Sequence, residues 1–137
     1  MNRLDFQALA QVRIDEAATL LAAQHWDGAY YLAGYAVECA LKACIAKLTA
    51  EHDFPDKKKA AKCFVHDIKQ LVEEANLKSQ RKGDTDANAI LFANWGTVDS
   101  WTEESRYLRI AEVDARKLVE AICDTPDGVF QWIKARW

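Results

Sequence analysis

The stretch GAYYLAGYAVECALKACIAKL, residues 28 to 48, constrains this chain more than any other. It is apolar on nearly every face of a helix, and such a helix must be covered on nearly every side. Over residues 29–50 it makes a helix of about 20 residues, roughly 30 Å long at 1.5 Å per residue. That length could span a bilayer, but Glu38, Lys42 and Lys47 lie inside it and argue against a membrane. The stretch therefore reads as the central helix of a bundle, with apolar surface to spare for an oligomer interface.

The composition agrees. A chain of 137 residues that is 50% hydrophobic and 28% charged is expected to form one globular domain over residues 1–137. Five glycines and two prolines allow few tight turns, which argues against an all-β fold. A formal charge of −3 offers no excess of Lys and Arg to neutralise phosphates, so charge does not support a nucleic-acid partner. The four cysteines form no CxxC, and no signal peptide is expected ahead of the first helix. Free thiols in a reducing cytoplasm are expected.

Periodicity predicts a first helix over residues 4–24, with Phe6, Leu9, Ala10, Ala17, Leu20 and Leu21 in one stripe. Arg13 falls within that stripe. HWDG at 25–28 breaks the helix, with Asp27 as N-cap of the next. Residues 51–62, EHDFPDKKKAAK, read as a charged solvated loop. A third helix follows in VHDIKQLVEEANL, and KSQRKGDTD at 78–86 reads as a polar connection. Asp84 or Thr85 is expected to cap a fourth helix through DANAILFANW. GTVDSWTEESRYLRI reads as irregular with one helical turn, and AEVDARKLVEAICD as a helix. Thr125 and Pro126 read as the N-cap and first position of a last helix. The expected fold is an all-α, up-and-down bundle of about five helices.

GAYYLAGYAVECALKA, then FVHDIKQLV, then WTEESRY, resemble the HEPN-domain family, over most of the chain to about Trp132. The resemblance implies a compact bundle of about five helices, commonly a homodimer. It further implies a partner: many small prokaryotic members form two-component modules with a minimal nucleotidyltransferase, several of them toxin–antitoxin pairs. Other members are metal-independent endoribonucleases marked by an Arg-x4–6-His motif. Here the nearest arginine upstream of His25, His52 or His66 is Arg13 in every case, so that motif is absent. The expectation is a non-catalytic interaction module. The alternative is a ribonuclease or nucleotide-binding protein with a non-standard site, such as His66 with Arg106.

The puzzle is Glu38, whose helix neighbours Tyr31, Gly34, Tyr35, Leu41 and Ile45 are largely apolar. An unpaired ionised carboxylate there would be costly. Three arrangements resolve it. Lys42 at i+4 can pair with it. Arg13 or Arg106 can hold it in a buried structural ion pair, since a guanidinium tolerates burial beside aromatics such as Trp101 and Tyr107. Or Glu38, Lys42, Arg106 and Tyr107 form a polar pocket for a nucleotide phosphate or a partner's acidic group. His66 is expected at the start of the third helix. Cys63 and His66, with Cys44 and His52, have irregular spacing for zinc, and no metal site is expected. The run Lys57, Lys58, Lys59 reads as a solvated loop. Val129, Trp132 and Ile133 either complete the core or face a partner. No glycine-rich phosphate loop or Ser/His/Asp arrangement stands out, so neither a catalytic residue nor a cofactor is implied.

Overall fold

The structure, a computed structural model, describes residues 1–52 and 61–137, with side chains for 1–49 and 61–137. The described residues form α1 (Arg3–Ala22), α2 (Trp26–His52), α3 (Ile68–Glu74), α4 (Lys78–Ala87) and α5 (Ala89–Asp99). A 3₁₀ helix (Glu103–Tyr107), α6 (Glu112–Cys123) and α7 (Val129–Lys134) follow. No strand occurs among them, and the all-α class is shown. Among the described residues these seven α-helices, beside the helical residues 61–63, exceed the expected count of about five. Among the described residues no helix is long and apolar enough to cross a membrane. The Lys57–Lys59 run and most of the loop assigned to 51–62 lie outside the described residues, while Glu51 and His52 end α2.

The apolar stretch is the central helix. α2 packs against α1, α3, the 3₁₀ helix, α6 and α7. Ala29, Ala33, Ala36, Ala40 and Ala43 are all fully buried, and their short side chains let neighbouring helices come close. α1 answers with Ala10, Ile14 and Ala17. Its start carries a capping box: Asn2 accepts from the Asp5 N–H, and Asp5 accepts from the Asn2 N–H. One contiguous core runs from Ala10 of α1 to Ile133 of α7, so the closing segment completes the core.

Several local expectations fail for identifiable reasons. Asp27 does not cap α2, which begins at Trp26; its carboxylate instead accepts from the Ile110 N–H at 2.6 Å. Residues 78–86 are not a loop but α4, a polar helix that buries only Thr85. It is held by Arg81 on Asp99 and by the i,i+4 pair Lys82–Asp86 at 2.7 Å. The cap of the next helix is Asn88, not Asp84 or Thr85, and it accepts from the N–H groups of Ile90 and Leu91. Because Asn88 also ends α4, it divides one helical region into two and raises the helix count. Pro126 is not the first residue of α7. It follows a cis bond in a turn, and α7 begins after Gly128. Gly128 is needed there, because an added Cβ would lie 2.3 Å from the Asp124 carbonyl oxygen.

Candidate functional site

Glu38 is 1% exposed in the middle of α2. Its Oε1 accepts from Lys42 Nζ at 2.8 Å, the i+4 pair that the spacing suggested. The same oxygen lies 2.9 Å from Nδ1 of His66, which stands just ahead of α3. His66 Nε2 lies 3.1 Å from Glu103 Oε2, on the 3₁₀ helix. One imidazole thus joins three elements of the bundle. Both of its partners are carboxylate oxygens, which accept, so both bonds form together only when each ring nitrogen carries a proton. Asp67 keeps His66 in place by capping α3, accepting from the Gln70 N–H at 2.8 Å.

The buried arginine pair is not found. Arg13 Nη1 donates to Glu16 Oε1 at 2.6 Å, an i,i+3 pair at the edge of α1. Its place in the stripe leaves it partly exposed rather than facing Glu38. Arg106 is exposed, with its guanidinium 4.9 Å from the centre of the Tyr107 ring. Hydrogen bonds to the Tyr107 and Tyr31 hydroxyls hold its pKa above the ordinary arginine value. The four-residue pocket is therefore split. Buried Glu38 meets Lys42 and the half-exposed His66, while Arg106 and Tyr107 form a separate exposed pair.

The residues missed by sequence reasoning are Glu103, Gly34 and Trp101. Trp101 is buried on Gly34, where an added Cβ would sit 2.2 Å from the indole ring. Tyr31 stacks on both Tyr35 and Trp101, with ring centres 6.1 Å apart in each pair. Gly34 is thus the notch that seats the 3₁₀ helix and brings Glu103 to His66. A glycine inside an otherwise apolar helix was the available signal, since such a residue often marks close approach. Three buried polar atoms here have no hydrogen-bond partner among the described residues: Glu38 Oε2, Trp101 Nε1 and Ser105 Oγ.

Beside this network runs a groove of about 930 Å³, between the first turns of α1 and one face of α2. Tyr35, Glu38, Cys39 and Lys42 line it from α2, and Leu4, Phe6 and Leu9 from α1. Burial pushes the Cys39 thiol up to about 11, with the Glu38 charge adding to the effect. Cys39 is therefore a neutral thiol near neutral pH, not a nucleophile. Burial, reinforced by Cys39 and Glu38, also raises the Tyr35 phenol. Cys44 faces the carbonyl of Ile133 at 4.0 Å, away from His66, and the side chain of His52 lies outside the described residues. Among the described residues no group of three His, Cys, Asp or Glu side chains is arranged to hold a metal.

Comparison with protein-family models, with curated proteins and with solved structures finds no match to this chain.

Proposed function

We propose that this chain is a HEPN-like interaction module that acts by binding rather than by catalysis. One observation carries the reading. The three stretches that resemble the family, on α2, at the start of α3 and on the 3₁₀ helix, are joined through Glu38, His66 and Glu103. Residues scattered over 66 positions of sequence are thus parts of one structural unit, which favours treating them as one motif. His66 has both ring nitrogens engaged by carboxylates, so neither is left free to move a proton on a substrate. Arg106, the other half of the alternative ribonuclease site, packs on Tyr107. The partners proposed are a second copy of this chain and a minimal nucleotidyltransferase subunit, within a two-component module of the toxin–antitoxin or stress-response kind.

Purified protein incubated with RNA tests this reading. The module predicts no specific cleavage by the wild type. Cleavage that disappears in His66→Ala or Arg106→Ala would overturn it in favour of a ribonuclease with a non-standard site. Sedimentation tests the homodimer separately: a mass of twice 15.5 kDa is expected, and a monomer at every concentration removes that part of the proposal.

A further inference from the structure

α5 is uncharged on both of its sides, yet only one side is covered. Leu91, Trp95 and Val98 face the core. On the opposite side Phe92, 64% exposed, and Ile90, 57% exposed, stand along the two edges, with Ala93 and Gly96 exposed between them. Asp99, the one charged residue of α5, is 13% exposed and is held by Arg81. The two hydroxyls on this side turn back on the helix: Thr97 donates to the Ala93 carbonyl, and Ser100 to the Gly96 carbonyl. The face therefore presents no charge and no hydroxyl proton without an acceptor, and its burial costs little desolvation. Other exposed apolar residues differ. Tyr107, Leu108 and Val113 stand among Arg106, Arg109, Glu112 and Asp114, and Met1 and Leu4 share their groove with Arg3 and Lys42.

Gly96 adds an independent sign. A glycine inside a helix weakens it and often marks a close approach. Gly34 makes room for Trp101 and Gly128 for the Asp124 carbonyl, but a Cβ added at Gly96 would meet no described atom within 4 Å. Gly83 is equally open, but it lies on α4, whose exposed Lys78, Lys82 and Asp86 suit water. We infer that this face of α5 is where a second copy of the chain docks, the two α5 helices crossing over Ala93 and Gly96. The inference rests on the homodimer part of the proposed function and names its interface. Two observations select a second copy. Phe92 and Gly96 lie one helical turn apart on the same face, a knob and an open space. A two-fold axis between them sets each Phe92 against the partner's Gly96, as a self-complementary contact requires. Each chain also carries a formal charge of −3, so two copies meet most favourably where neither presents a charge. Beside Phe92 the rim is the α4 pair Lys82 and Asp86, which offers both signs. The 11 residues of α5 span about 16 Å, so the contact is small and the dimer dissociates on dilution.

Sedimentation of the full chain over a range of concentrations, with two matched variants, tests the assignment. Gly96→Glu and Val113→Glu change the net charge equally, the first on this face and the second on the other exposed apolar surface. Gly96→Glu should weaken the dimer at least about a hundredfold, because it sets like charges against each other across the two-fold axis. Val113→Glu should leave it as in the wild type. Gly96→Glu should also keep or raise the unfolding midpoint, since glutamate favours a helix more than glycine does; Ala93→Glu serves if that variant fails to fold. In the wild type, dilution should shift the backbone amides of residues 89–100 most. A dimer that survives Gly96→Glu, equal weakening by both variants, or dilution shifts centred elsewhere overturns the assignment of this face and leaves the homodimer standing. A wild type that stays monomeric up to about 1 mM overturns both.

Discussion

Two clusters of charge in this molecule solve the same problem with different side chains. In the C-terminal cluster, Asp84 Oδ2 accepts from Trp132 Nε1 at 2.8 Å and from Arg136 Nη2 at 2.9 Å, and the Arg136 guanidinium lies 3.8 Å over the Trp132 ring. Arg81 grips Asp99 with two N–H groups and lies 4.2 Å over Trp95. The polar atoms left over there are neutral or shared: the Trp95 indole N–H and one of five N–H groups of Arg136. At Glu38 the partners are a lysine and a histidine, neither of which forks around a carboxylate, and the atom left over is a carboxylate oxygen. The difference lies in reach and planarity. Arg81 satisfies both oxygens of Asp99, whereas at Asp84 and at Glu38 two donors converge on one oxygen. The other oxygen belongs to a half-open side chain at Asp84 and is buried without a partner at Glu38. The first cluster locks the C-terminus; the second leaves one carboxylate oxygen buried without a partner.

Removing the cation should separate the two clusters most clearly. Lys42→Met leaves Glu38 buried with only His66, and should lower the free energy of unfolding by about 3–5 kcal/mol in urea. Replacing both partners, as Glu38→Leu with Lys42→Met, should restore most of that loss, since paired burial of charge and apolar packing are nearly equivalent. In the other cluster Asp84→Ala should cost less, about 1–2 kcal/mol, because Asp84 is partly open to water and Arg136 keeps its bond to the Trp132 carbonyl. Equal losses from Lys42→Met and Asp84→Ala would erase the contrast.

A smaller effect concerns pH. Cys39 and Cys44, both buried, are pushed up to about 11 from 9.0. Below pH 9 each thiol is protonated whether the chain is folded or not, so stability does not change there on their account. Between pH 9 and 11 the unfolded chain releases these protons and the folded chain retains them, so stability falls as pH rises. The alanine variants at 39 and 44 should show a shallower fall over that window than the wild type in thermal unfolding. An identical slope would mean that these thiols titrate normally.

The large helices were legible because their apolar residues recur at helical spacing: the predicted spans of α1, α2 and α6 match closely. α4 was not, because a helix with one buried residue has no apolar stripe to read, and its stability comes from side-chain pairs with other parts of the fold. Pro126 misled because the same residue serves a helix start and a turn, and only the following glycine distinguishes them. At the candidate site, the Glu38–Lys42 contact follows from i+4 spacing, but His66 and Glu103 are brought in by the path of the chain. The expectation that an arginine beside aromatics would hold a buried carboxylate has sound chemistry and the wrong address. At Trp95 and Trp132 an arginine beside an aromatic does hold a carboxylate, but a partly exposed one, reached from a different helix or from the C-terminal segment.

The central claim is that Glu38 and His66 are coupled and tie α2 to the start of α3. A double-mutant cycle of Glu38→Leu and His66→Ala, read by urea unfolding, measures that coupling directly. The account predicts that the two losses fail to add, with an interaction of about 1 kcal/mol or more. Losses that add to within about 0.3 kcal/mol would contradict it, since residues that act independently do that.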